Sequence, residues 1–163
     1  MTIKISSTSE LPNTPAIYAM YGGLETRYVA YVGMADKLKR RIEQHLVKRD
    51  SSVVTGTSAA GLNPDFVTEL RWWEHPLFND RDVLVAAELI AFDVLEPTLR
   101  SRGRVQEKAR QLYKDEKFQV EMKNLFKGEP KGKLIIPTLM DALNKIEQLE
   151  RRITMLEKKL KEF

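Results

Sequence analysis

The sequence has no cysteine and only two histidines, His45 and His75, in 163 residues. Without thiols, disulfides, a thiolate nucleophile and cysteine-based zinc sites are all excluded. With so few histidines, a metal here is expected on carboxylate oxygen rather than on imidazole nitrogen. No apolar run approaches the ~20 residues needed to cross a bilayer. The opening segment MTIKISSTSELPNTP also lacks the apolar stretch of a secretory signal. A cytoplasmic protein with no membrane partner is therefore expected.

What is present fits one sizeable core with a short appendage: 42% hydrophobic and 31% charged residues. The net charge of +4 is unevenly placed. Residues 1–99 carry 10 basic and 13 acidic side chains, whereas residues 100–134 carry 11 and 5. A basic segment after the core suits a polyanion, because Lys and Arg gain affinity by displacing phosphate counterions. A solvated helix surface is the alternative.

Two runs rich in aromatic and β-branched residues, AIYAMY (16–21) and YVAYVG (28–33), flank a Gly-Gly turn signal and predict a β-hairpin. Asp36 is placed to cap a helix whose apolar residues Leu38, Ile42 and Leu46 recur every four positions, with Arg41 and His45 sharing one side. Residues 49–64 read as a long Ser/Thr/Gly loop. Residues 65–74 read as a third strand, in which one of Trp72 and Trp73 packs and the other is exposed. Asp80 or Asp82 caps a largely apolar helix that ends before Pro97, with Glu88 at its middle. A charged helix spans 105–126 until GEPKG breaks it.

From Leu139 the apolar residues alternate at spacings of three and four. Leu139, Ile146, Ile153 and Leu160 occupy heptad position a, and Ala142, Leu149, Leu156 and Phe163 position d. Lys145 and Arg152 at g would face Glu150 and Glu157 at e of a parallel partner. A homodimer through residues 139–163 is expected. The whole reads as an α/β protein. Residues 1–100 form a domain with a small, mainly antiparallel three-stranded sheet flanked by helices; 101–134 form a basic helical linker region, and 135–163 a coiled-coil helix.

Ala16-Ile17-Tyr18, Tyr31-Val32-Gly33, Arg41, His45 and Glu88, in that order and spacing, resemble the motif of the GIY-YIG nucleases. The resemblance covers roughly residues 15–100. It implies a divalent-metal-dependent DNA endonuclease, with Glu88 anchoring Mg²⁺ or Mn²⁺ and Arg41 meeting phosphate oxygens. It makes Tyr18 the general base or water-orienting group, with Tyr31 supporting it. His45 suits a proton relay, and Gly33 is expected to let the strand bend before the helix. Lys37, Lys39, Arg40, Arg100, Arg102 and Arg104 are candidate DNA contacts. Two positions depart from the motif: Ala16 replaces its first glycine, and Arg100 stands where an asparagine is often found. The alternatives are a non-catalytic nucleic-acid-binding module on the same fold, and a protein whose business is coiled-coil dimerisation.

Overall fold

Alternating aromatic and β-branched residues pair as expected, joining β2 (Ala16–Gly22) to β3 (Tyr28–Ala35) in an antiparallel hairpin. The computed structural model describes residues 1–23, 26–56, 61–99 and 104–163. The other strands are β1 (Ile3–Ile5), β4 (Val67–Trp73) and β5 (Gly132–Ile135). The helices are α1 (Leu38–Leu46), α2 (Ser52–Thr55), α3 (Arg81–Leu95), α4 (Glu107–Lys114), α5 (Glu116–Lys127) and α6 (Leu139–Lys161).

The protein is α/β, but its sheet has five strands rather than three, in the order β1-β5-β4-β2-β3, and is mixed because β1 runs parallel to β5. The expected antiparallel trio β4-β2-β3 forms its larger part. The two additional strands are three and four residues long, too short to show a period of two, and they come from opposite ends of the chain. Their pairing is decided by tertiary packing, not local pattern. The opening segment joins the sheet. It supplies β1 and a 3-10 turn whose Ser7 and Glu10 form a reciprocal capping box.

Strand β2 is buried along its whole length, and its alternation divides the core. Ile17, Ala19, Tyr21 and Trp73 face α3, α4 and α5; Tyr18, Met20, Leu70 and Trp72 face α1, Val53 and Leu62. The adjacent tryptophans thus point to opposite sides of the sheet, and both are at most 2% exposed, contrary to the expectation of one exposed ring. A strand buried on both faces has no solvent side to give either indole. Gly132 lies beneath the Trp72 ring, where a Cβ would collide with it.

Asp80 begins α3 by accepting the N–H groups of Asp82 and Val83. The helix ends at Leu95, with Glu96 in the left-handed region (φ 49°) ahead of Pro97. Eight of its residues are buried, among them Leu84, Ile90 and Phe92, each contributing about 1.5–3 kcal/mol of transfer free energy. The chain then runs beside β3, where Thr98 and Leu99 donate backbone N–H groups to Val29 and Ala30 and cover part of that strand's edge.

The residues read as a basic linker contribute Ala109, Phe118, Met122 and Phe126 to the core beside α3. Phe126 meets Trp73 edge to face at 5.7 Å. The single charged helix expected there is divided in two at Asp115, which caps α5 through the N–H of Phe118. Helix α6 differs from all of these. It opens on a Thr138/Asp141 capping box and has no buried residue, so its whole apolar seam lies open.

Candidate active site

Tyr18 sits at the middle of β2 and is wholly buried, directly opposite Gly33 on β3. A Cβ on Gly33 would lie 2.5 Å from the Tyr18 hydroxyl oxygen and 2.9 Å from the Tyr31 ring. Gly33 is within a strand that continues to Ala35, so it makes room for the two tyrosines and does not bend the chain. The rings of Tyr18, Tyr31 and His45 cluster with centroids 5.8–6.1 Å apart.

Helix α1 brings Arg41 and His45 to this cluster. It starts after Lys37 with no side-chain cap; Asp36, expected to cap it, instead pairs with Arg81 at 2.8 Å. His45 Nε2 lies 2.7 Å from the Tyr18 hydroxyl, and His45 Nδ1 lies 2.7 Å from Ser51 Oγ. All three side chains are buried. Ser51 also caps α2 by accepting the N–H of Val54, so residues 51–55 of the expected loop are ordered as a cap and a short helix. The third strand begins at Val67, after a 3-10 turn over Pro64–Phe66. Residues 57–60 lie outside the described residues.

In front of this buried chain is a cleft of about 580 Å³ where β3, the edge strand, passes between α1 and α3. Tyr31, Arg41 and Glu88 all line it. The five residues expected to act together are therefore gathered from β2, β3, α1 and α3: three at the cleft, and Tyr18 with His45 behind them. Lys37 and Arg40 also line the cleft, as does Arg81, giving four cations against the carboxylates of Asp36 and Glu88. Arg104 lines an adjoining cavity that shares Met34, Arg81 and Glu88 with it. Lys39 is not among the cleft-lining residues. Arg100 and Arg102 lie outside the described residues.

Burial holds both tyrosines protonated at neutral pH. The Tyr18 hydroxyl is raised well above 10 by desolvation and then by Tyr31, with Arg41 opposing. Tyr31 is raised by desolvation and then by the Glu88 charge. Desolvation, with the Arg41 charge adding to it, lowers His45 to about 3. The site at rest is thus a chain of neutral hydrogen-bonding groups beside a permanent guanidinium.

Among the described residues no cluster of three or more metal-ligating side chains forms. Glu88, partly exposed at the cleft wall, fits a hard divalent cation that takes one protein carboxylate and completes its shell with water and phosphate oxygen. Glu69, a buried carboxylate elsewhere in the sheet, is taken up by Arg27 at 2.7 Å and Arg71 at 3.3 Å.

Ser51, Gln44 and Arg81 are members of this site that the sequence did not announce. Ser51 sits in a Ser-rich run where no period marks it. Arg81 had one signal: it opens a helix, where the macrodipole disfavours a cation. Comparison with protein-family models, curated proteins and solved structures returns no match to this chain.

The buried neutral state of His45 has a measurable consequence. The unfolded chain protonates His45 near 6.5, the folded chain only near 3. The folded state binds fewer protons between those values, so this contribution to stability is complete above about pH 6.5 and is lost as pH falls toward 3. In NMR titrations the His45 ring signals should stay constant from pH 8 to pH 5. An inflection near pH 6.5 would contradict the buried arrangement.

Proposed function

We propose that this chain is a divalent-metal-dependent DNA endonuclease of the GIY-YIG type. The observation that carries this is the convergence of Tyr18, Tyr31, Arg41, His45 and Glu88, scattered over 71 positions of sequence, on one cation-lined cleft and the hydrogen-bonded chain behind it. Phosphodiester hydrolysis needs an oriented water, a place for its proton, and charge opposite the phosphorane-like transition state.

Each requirement has a candidate group. Arg41 presents a fork of donors to two phosphate oxygens. Tyr31 positions the attacking water or the phosphate from the cleft wall. Tyr18 takes a proton from the water as it passes its own to His45 Nε2, so no standing phenolate is needed. The water oxygen bonds to phosphorus, the bond from phosphorus to the departing ester oxygen breaks, that oxygen takes a proton from solvent, and His45 then returns its proton through Tyr18 to solvent, restoring the resting chain. Pairing of Arg41 with the anionic phosphate offsets the charge that otherwise disfavours protonated His45. Glu88 would hold Mg²⁺ or Mn²⁺, which when bound supplies Lewis-acid neutralisation at the phosphate. Lys37, Arg40 and Arg81 extend the cationic lining for the flanking backbone.

Helix α6 suggests two such sites per particle. Its a and d side chains are exposed, with Ile146 at 52% and Ile153 at 55%. The charges at e and g match those of a second copy in parallel register. The occupant proposed for this seam is the same helix of another chain.

Two experiments follow. Supercoiled plasmid and branched DNA should be cut by wild type in Mg²⁺, with Glu88→Ala slower by roughly 10²-fold or more. Equal products from both proteins would sink the endonuclease assignment, and retention of DNA without cleavage by wild type would favour the non-catalytic binding module. In light scattering, wild type should weigh as a dimer and Ile146→Asp/Ile153→Asp as a monomer. An unchanged mass in the double variant would remove the coil.

A further inference from the structure

Every polar atom of the His45 ring is engaged: Nε2 by Tyr18 and Nδ1 by Ser51, each at 2.7 Å. A neutral imidazole carries one proton, so one nitrogen donates and the other accepts. The neighbours decide which. Arg41 has donors only and cannot take the buried Tyr18 proton; the Tyr31 hydroxyl can, but the imidazole nitrogen is the stronger acceptor. His45 Nε2 is a nitrogen acceptor within strong hydrogen-bond range, and a hydroxyl proton without an acceptor is costly in a site with no solvent.

Ser51 already accepts one N–H. It occupies the cap of α2, where the serine oxygen turns its lone pairs toward the helix N–H groups and takes that of Val54. Its backbone is fixed from the other side by α1, because Asp50 and Ser51 both donate N–H groups to the Gln44 carbonyl. The helix that carries His45 therefore also sets the position of the oxygen facing its ring. The next two residues, Ser52 and Val53, line the cleft. One short corner thus joins the cleft wall to the buried chain.

We propose that Ser51 is a positioning residue for His45: its Oγ accepts the Nδ1–H of the ring and leaves Nε2 bare to receive the Tyr18 proton. The tautomer is tested on its own; its use in turnover rests on the nuclease function proposed above. Removing the Ser51 oxygen leaves Nδ1–H without a partner in the interior. The ring then redistributes toward the Nε2–H form, which cannot accept from Tyr18.

The protein contains an internal reference. His75 Nδ1 accepts the backbone N–H of Leu77 at 3.2 Å, and its Nε2 faces Glu121 at 3.0 Å. In its neutral form His75 must carry the opposite tautomer. Long-range proton–nitrogen NMR spectra of the full chain, assigned with His75→Gln, should show His45 protonated at Nδ1 and bare at Nε2, with His75 reversed. An Nε2–H form of His45 in wild type overturns the proposal whether or not the protein cuts DNA. Ser51→Ala should shift His45 toward the Nε2–H form and lower kcat for DNA cleavage roughly tenfold, with KM little changed. Ser51→Thr, which keeps the oxygen, should restore both signals. A Ser51→Ala protein with the wild-type tautomer and kcat also overturns it. The expected tautomer in a wild-type protein that cuts no DNA would support the positioning while removing the nuclease function.

Discussion

The rest of the site depends on the burial of a single hydroxyl. Tyr18 lies in the central part of the sheet, with no access to solvent, and its oxygen must find partners within the protein. The demand is met on one side by His45, which fixes the rotation of α1, and on another by the absence of a side chain at Gly33. The same helix then delivers Arg41 one turn earlier to the cleft. Sheet, helix and glycine are thereby constrained together. A shift of one residue in the β2–β3 register would turn Tyr18 toward α3 and break the whole arrangement.

The electrostatic design is a permanent positive charge beside groups held neutral. Burial raises the tyrosines and lowers His45, and Arg41 acts on both, easing ionisation of Tyr18 while opposing protonation of His45. The Glu88 charge acts in the opposite sense on the tyrosines, adding to the effect of burial. Asp36, which lines the cleft and pairs with Arg81 at 2.8 Å, offsets part of the cleft's positive charge.

Much of this was legible in the sequence, for definite reasons. The hairpin, α1 and α3 carry strong periodic patterns, and the spacing of Arg41 from His45 on a helix dictates a shared face. Glu88 stood out because a carboxylate in an apolar helix needs a purpose. The outer strands did not show, since Ile3–Ile5 and Gly132–Ile135 are too short to reveal alternation and pair across the length of the chain. The burial of both Trp72 and Trp73 was hidden because adjacent residues on a strand point oppositely, and only a sheet covered on both faces buries the pair. The charge of residues 104–134 masked the apolar stripe of Phe118, Met122 and Phe126. Ser51 was invisible, since its importance lies in one tertiary hydrogen bond.

In the proposed mechanism the Tyr18 hydroxyl mediates the removal of a proton from water during phosphodiester hydrolysis. The most direct measurement of this role is single-turnover cleavage of an end-labelled DNA duplex in Mg²⁺ by wild type and Tyr18→Phe, with thermal unfolding of both proteins recorded alongside. The phenylalanine keeps the ring that packs against Gly33 and removes only the oxygen. A folded Tyr18→Phe protein that cleaves at least roughly 10²-fold more slowly is the expected result. Cleavage at the wild-type rate by the folded variant would rule out that role for the Tyr18 hydroxyl.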